Sequence, residues 1–86
     1  MPTLFYVGAY RVHIPTNDHS PAHVHVTGPA GAAKLELGKN PADVTLVLNH
    51  GIPKGILTDV MAAVMERHGE CHQRWKDIHE PKSRSR

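Results

Sequence analysis

Asp18, His19, His23 and His25 fall within eight residues of one another, in the stretch Asn17-Asp18-His19-Ser20-Pro21-Ala22-His23-Val24-His25-Val26. Three imidazoles and a carboxylate are the donor types of a divalent ion, which takes three or four such ligands and keeps one position for water in a catalytic site. Alternate residues of a strand point to one face, so His23 and His25 can reach one object together. Asp18 or His19 from the preceding loop offers a third ligand, and His13 and Glu36 can approach from neighbouring strands. The cofactor this chemistry expects is one divalent metal, zinc foremost. The bland alternative is equally concrete: turn caps, bonds to backbone and a wet polar face, with Asp18 after Asn17 an ordinary turn residue. Acid–base work without metal suits histidine near neutral pH. It lacks a nucleophile, however, since no elbow motif surrounds Ser20.

Two further groups of residues invite the same question. His68, Cys71 and His72 are ligand types, but Gly69 falls between the two histidines, and Cys71 shares a helical stripe with Trp75, which argues for core. Trp75 is most simply the anchor of its helix against the sheet. Arg74 and Lys76, with Lys82, Arg84 and Arg86 in the C-terminal tail, form a weak candidate surface for phosphates; no nucleic-acid-binding motif accompanies them.

The elements that must position these residues follow from periodicity. The chain has 86 residues, a length for one domain, taken here as residues 1–80 with a basic, disordered tail at 81–86. Leu4 to Val7 is a short apolar run, and Gly8 marks a bulge or bend. Tyr10, Val12 and Ile14 alternate with Arg11 and His13, as in a half-buried strand. Pro15 to Ala22 is a loop. His23 to Thr27 alternates again, Gly28 to Gly31 is a turn, and Ala33, Leu35 and Leu37 alternate with Lys34 and Glu36. Gly38 to Asp43 is a loop and Val44 to Asn49 a further apolar segment. Facing residues of an antiparallel pair share a side of the sheet, so the parity of pairing is set by the valines. Val12 should face Val26, His13 face His25 and Ile14 face Val24. On the next hairpin Val26 should face Ala33, Val24 face Leu35, His25 face Lys34 and His23 face Glu36. One face then gathers Arg11, His13, His23, His25, Lys34 and Glu36, and of these Arg11, His13, Lys34 and Glu36 are candidate binding residues beside the histidine pair.

Beyond this the period becomes helical. Pro53 suits a first helical position, Leu57, Val60, Met61, Val64 and Met65 recur at helical spacing, and Gly69 is a natural stop. A second helix from about Glu70 aligns Cys71, Trp75 and Ile78, and Pro81 ends it. The fold class is α+β: an antiparallel sheet of three to four strands with two C-terminal helices packed on its apolar face.

Composition narrows the classes. A single cysteine excludes an intramolecular disulfide, and no apolar run approaches a membrane span. The expectation is a cytoplasmic protein without a membrane partner. The formal charge is +2 with histidine neutral, and eight histidines make it climb steeply near pH 6. A chain this small buries little of its surface and can lean on a metal, a partner or a homodimer.

Met1-Pro2-Thr3, the run Asp18-His19-Ser20-Pro21-Ala22-His23-Val24-His25 and the late Trp75 resemble the bacterial domain-of-unknown-function family 4160. Its members open with Met-Pro-Thr and carry Asp-His-x-Pro-Pro-His-x-His after a first strand. Ala22 stands where the family has a second proline, and Val24 where it has an aromatic. The resemblance implies a small accessory or regulatory protein from a toxin–antitoxin-like or mobile-element setting. Three functions compete: a module binding a protein or nucleic-acid partner, a metal-dependent hydrolase or nuclease on Asp18, His19, His23 and His25, and a stoichiometric inhibitor of the anti-CRISPR kind. Small size and the lack of a second acid–base set favour binding over catalysis.

Overall fold

A computed structural model of the chain describes residues 3–16 and 21–79. Five strands lie in sequence order in one antiparallel sheet: β1 (Thr3–Val7), β2 (Tyr10–His13), β3 (His23–Gly28), β4 (Gly31–Glu36) and β5 (Thr45–His50). Two helices follow, α1 (Lys54–Glu66) and α2 (His68–His79). The α+β class holds, with five strands in place of three to four. The additional strand is β1, whose unbroken apolar run carries no alternation to mark it. Its pairing with β2 is made at Gly8-Ala9. Gly8 has φ +60°, and among the described residues no non-glycine residue, Ala9 included, has positive φ, which is the pattern of a type II′ hairpin turn. The bend expected at Gly8 is therefore real, while the irregularity in this ladder falls between Thr3 and Phe5.

The register follows the parity argument. Val12 faces Val26 and His13 faces His25. Val26 faces Ala33, His25 faces Lys34, Val24 faces Leu35 and His23 faces Glu36. β2 ends at His13, one residue short of the expected pair of Ile14 with Val24. A bulge interrupts β4–β5: Lys34 faces Leu48 but Leu35 faces Leu46, leaving Val47 as the extra residue.

Val12, Ile14, Val24, Val26, Leu35 and Leu37 are wholly buried, each such side chain contributing about 1.5–3 kcal/mol of burial. Leu57, Val60 and Val64 of α1 and Cys71 and Trp75 of α2 complete the same core. Tyr10 lies so close over Gly28 that a Cβ there would enter its ring, and its hydroxyl accepts the Ala30 N–H at 3.2 Å. Pro53 is the N-cap of α1 rather than its first residue, with its carbonyl accepting the Leu57 N–H at 3.0 Å. Gly69 does not stop α1. The bend is made at Arg67 (φ −106°), and Gly69 sits in the first turn of α2. No left-handed residue is needed there, because the Arg67 N–H bonds Ala63 and its carbonyl accepts the Cys71 N–H.

Candidate functional site

β2 ends, β3 begins and β4 ends at the same end of the sheet, and main-chain carbonyls just beyond a ladder have no strand to pair with. Histidine rings supply the missing donors. The His68 Nε2–H reaches the carbonyls of Leu37 at 3.0 Å and Gly38 at 3.2 Å. The His72 Nε2–H donates to Gly38 at 2.9 Å, and the His79 Nε2–H donates to Pro15 at 2.8 Å. These bonds lay α2 across the sheet end, from the exit of β4 to the exit of β2. The His23 Nδ1–H donates to the Pro21 carbonyl at 2.9 Å. A carbonyl only accepts, so each bond places a proton on the named nitrogen. The pair His68 and His72, weighed as ligands with Cys71, is thus a clamp on backbone. Cys71 is buried core, and burial, with Glu70 nearby, pushes its thiol up to about 11.

The signature histidines divide. His23 is buried, with its ring 4.9 Å from Trp75, and Trp75 stacks on His79 at 3.9 Å. His25 lies between His23, at 5.3 Å, and His13, at 5.8 Å, measured between ring centres. His13 is only 2% exposed, and its Nδ1 is buried with no hydrogen-bond partner. Burial, then the Arg11 and His25 charges, lower its pKa from 6.5 to about 4. Among the described residues no three His, Cys, Asp or Glu side chains gather as a metal-holding group. Asp18 and His19, half of the expected ligand set, lie outside the described residues, so the complete set is not seen together.

The remaining candidates share the open face of the sheet. Tyr6 pairs with Arg11, His25 with Lys34, and His23 with Glu36, so pairing parity puts all of these on one side. Lys34 then faces Leu48 and Ala32 faces His50 across the last pair of strands. A shallow cavity of about 150 Å³ lies here, lined by His25, Thr27, Ala32, Lys34, Leu48 and His50. Tyr6 is 64% and Leu48 49% exposed, and the charges available are Arg11, Lys34 and Glu36, beside the half-buried imidazole of His25 and the exposed one of His50. Leu48 and His50 were not foreseen: the bulge at Val47 breaks the alternation that would have assigned them to this face.

The basic candidates separate. Lys76 joins Lys39, His72 and Gln73 around a hollow of about 380 Å³ beside α2, whereas Arg74, two positions earlier on the helix, is half-buried elsewhere on its surface. Lys82, Arg84 and Arg86 lie outside the described residues.

A family model described as "Domain of unknown function (DUF4160)" matches residues 9–76. No curated protein and no solved structure matches the chain.

Proposed function

We propose that the chain, which belongs to the DUF4160 family, is a small accessory binding protein of the bacterial cytoplasm, one that grips an acidic protein partner on the open face of its sheet. The observation that carries this reading is the row of Arg11, His25 and Lys34 along the middle strands of that face, flanked by exposed Tyr6 on the β1 edge and by exposed Leu48 and His50 on the β5 edge. Arg11 and Lys34 between exposed aromatic and aliphatic groups are the makings of a protein-binding patch: the apolar groups contribute affinity, and the charges give orientation and rate. Glu36, at the edge of the patch, disfavours a partner of uniform negative charge such as a nucleic-acid backbone. The toxin–antitoxin-like or mobile-element setting that the family resemblance implies is in keeping with an accessory role of this class.

The test is isolation of the protein with its partner from native cells, followed by reconstitution from the two purified components. The complex should survive chelator and be lost in the double variant Arg11→Glu/Lys34→Glu. A partner that needs a metal, or that binds the double variant equally well, contradicts the reading. Recovery of nucleic acid, with affinity falling steeply in salt, would replace the protein partner by a polyanion.

A further inference from the structure

β5 is an open edge of the sheet, and all six of its residues, Thr45–His50, are exposed. It presents Leu46, Val47 and Leu48 to solvent at 37%, 45% and 49% exposure. Natural edges are blunted by charged side chains, proline, bulges or a covering element. The sequence Thr-Leu-Val-Leu-Asn-His has no proline and no Lys, Arg, Asp or Glu. Its single such device is the bulge at Val47.

We infer that β5 pairs antiparallel with β5 of a second copy of this chain, about a two-fold axis normal to the sheet, making one continuous ten-stranded sheet. Two observations select this occupant. The first is facial matching. Residues opposite each other in an antiparallel pair must share a face. A regular strand centred between its third and fourth residues fails that condition, because positions such as Thr45 and His50 would point to opposite sides. The bulge shifts the parity by one. Thr45, opposite Glu36, and His50, opposite Ala32, both lie on the histidine face, while Leu46 and Asn49, opposite Leu35 and Ala33, both lie on the apolar face. A two-fold pairing of Thr45 with His50 and Leu46 with Asn49 therefore matches faces along the strand, and Val47 meets Leu48 at its centre.

The second observation is charge. Glu36, paired with Thr45, and Asp43, two residues before it, stand at one end of the edge; His50 and Lys54 stand at the other. Lys39, in the loop before Asp43, lines the hollow beside α2 instead. Antiparallel pairing brings the acidic end of each copy to the basic end of the other, whereas parallel pairing would set like against like. The pairing also carries the cavity at Lys34, Leu48 and His50 up to its two-fold mate, so the dimer would offer the proposed binding face twice, side by side. The dimer stands or falls without that function: self-association is read with no partner present.

The experiment is sedimentation equilibrium of the full chain up to roughly 500 μM, which reveals dissociation constants into the millimolar range. The expected result is a concentration-dependent mass rising from 9.5 kDa toward twice that value. Val47→Lys, which adds an edge-blocking charge at an exposed position, should weaken the association at least tenfold, with its thermal unfolding confirming that it folds. Thr45→Cys mixed with His50→Cys should give an oxidised cross-linked pair faster than either variant alone, since directly opposed positions fall within disulfide reach. A monomer at every concentration overturns the inference, as does a dimer equally tight in Val47→Lys and Leu48→Lys. Cross-linking no faster in the mixture than in the single variants overturns the register.

Discussion

Replacing His68 by leucine removes the donor that holds the carbonyl of Leu37, the residue leaving β4. The ring is 7% exposed, and its Nε2 lies 3.0 Å from that carbonyl and 3.2 Å from Gly38. Leucine keeps the apolar volume but donates nothing. Gly38 retains a donor in His72 at 2.9 Å, so the loss falls on Leu37, whose side chain has no exposed surface. An acceptor left unsatisfied in the interior costs about 1–3 kcal/mol. For a domain of this length each kcal/mol is roughly 4–8 °C of melting temperature, so a fall of about 5–20 °C is expected by circular dichroism. His68→Gln, which keeps an N–H at the end of the side chain, should recover part of it. His72→Leu is the control: its bond is exposed, Gly38 keeps His68, and the cost should stay within about 0.5 kcal/mol. A His68→Leu protein melting with the wild type, or a His72→Leu protein losing as much, would refute the clamp.

Other consequences follow from the same geometry. Gly28→Ala drives a Cβ into the Tyr10 ring and should cost about 1–3 kcal/mol by urea denaturation, the usual penalty of overpacking. His13 binds its proton near pH 4 when folded, against 6.5 when unfolded. Its contribution is therefore complete above pH 6.5 and is lost as pH falls toward 4, with a ceiling of about 3 kcal/mol. His13→Phe should flatten the decline of melting temperature across that window relative to wild type. Cys71, buried and with its thiol pushed up to about 11, should resist a thiol reagent in the folded protein and react along the urea transition. Labelling of the native protein at the rate of a free thiol would contradict that burial.

The parts of the fold that were legible in sequence are those where one face is buried. Val24 and Val26 alternate with His23 and His25, and a slip of one residue would bury imidazoles among valines, so the β2–β3–β4 parity could be derived. β1 was obscured because Leu4, Phe5, Tyr6 and Val7 are all apolar. The face of β5 was obscured because the Val47 bulge shifts its parity, and a bulge is set by strand geometry rather than by a residue type. The histidine motif was legible as a cluster but not as a division of labour. Whether an imidazole binds a ligand or a carbonyl depends on which strand ends lie beside it, and α2 brings His68, His72 and His79 to carbonyls distant in sequence. His23 is held by Pro21, only two residues away, a local bond that the loop composition alone did not reveal.

The most direct test of the central claim is the affinity of the reconstituted binary complex for wild type and Arg11→Glu/Lys34→Glu, measured calorimetrically in chelator. Both side chains are only half-buried, so the double variant should fold as the wild type does. Rim charges of this kind act mainly on association and its salt dependence, while reversal adds repulsion against an acidic partner. The expected result is a loss of at least tenfold, about 1.4 kcal/mol or more, with wild-type binding unchanged by chelator. Equal affinity of the two proteins would contradict it.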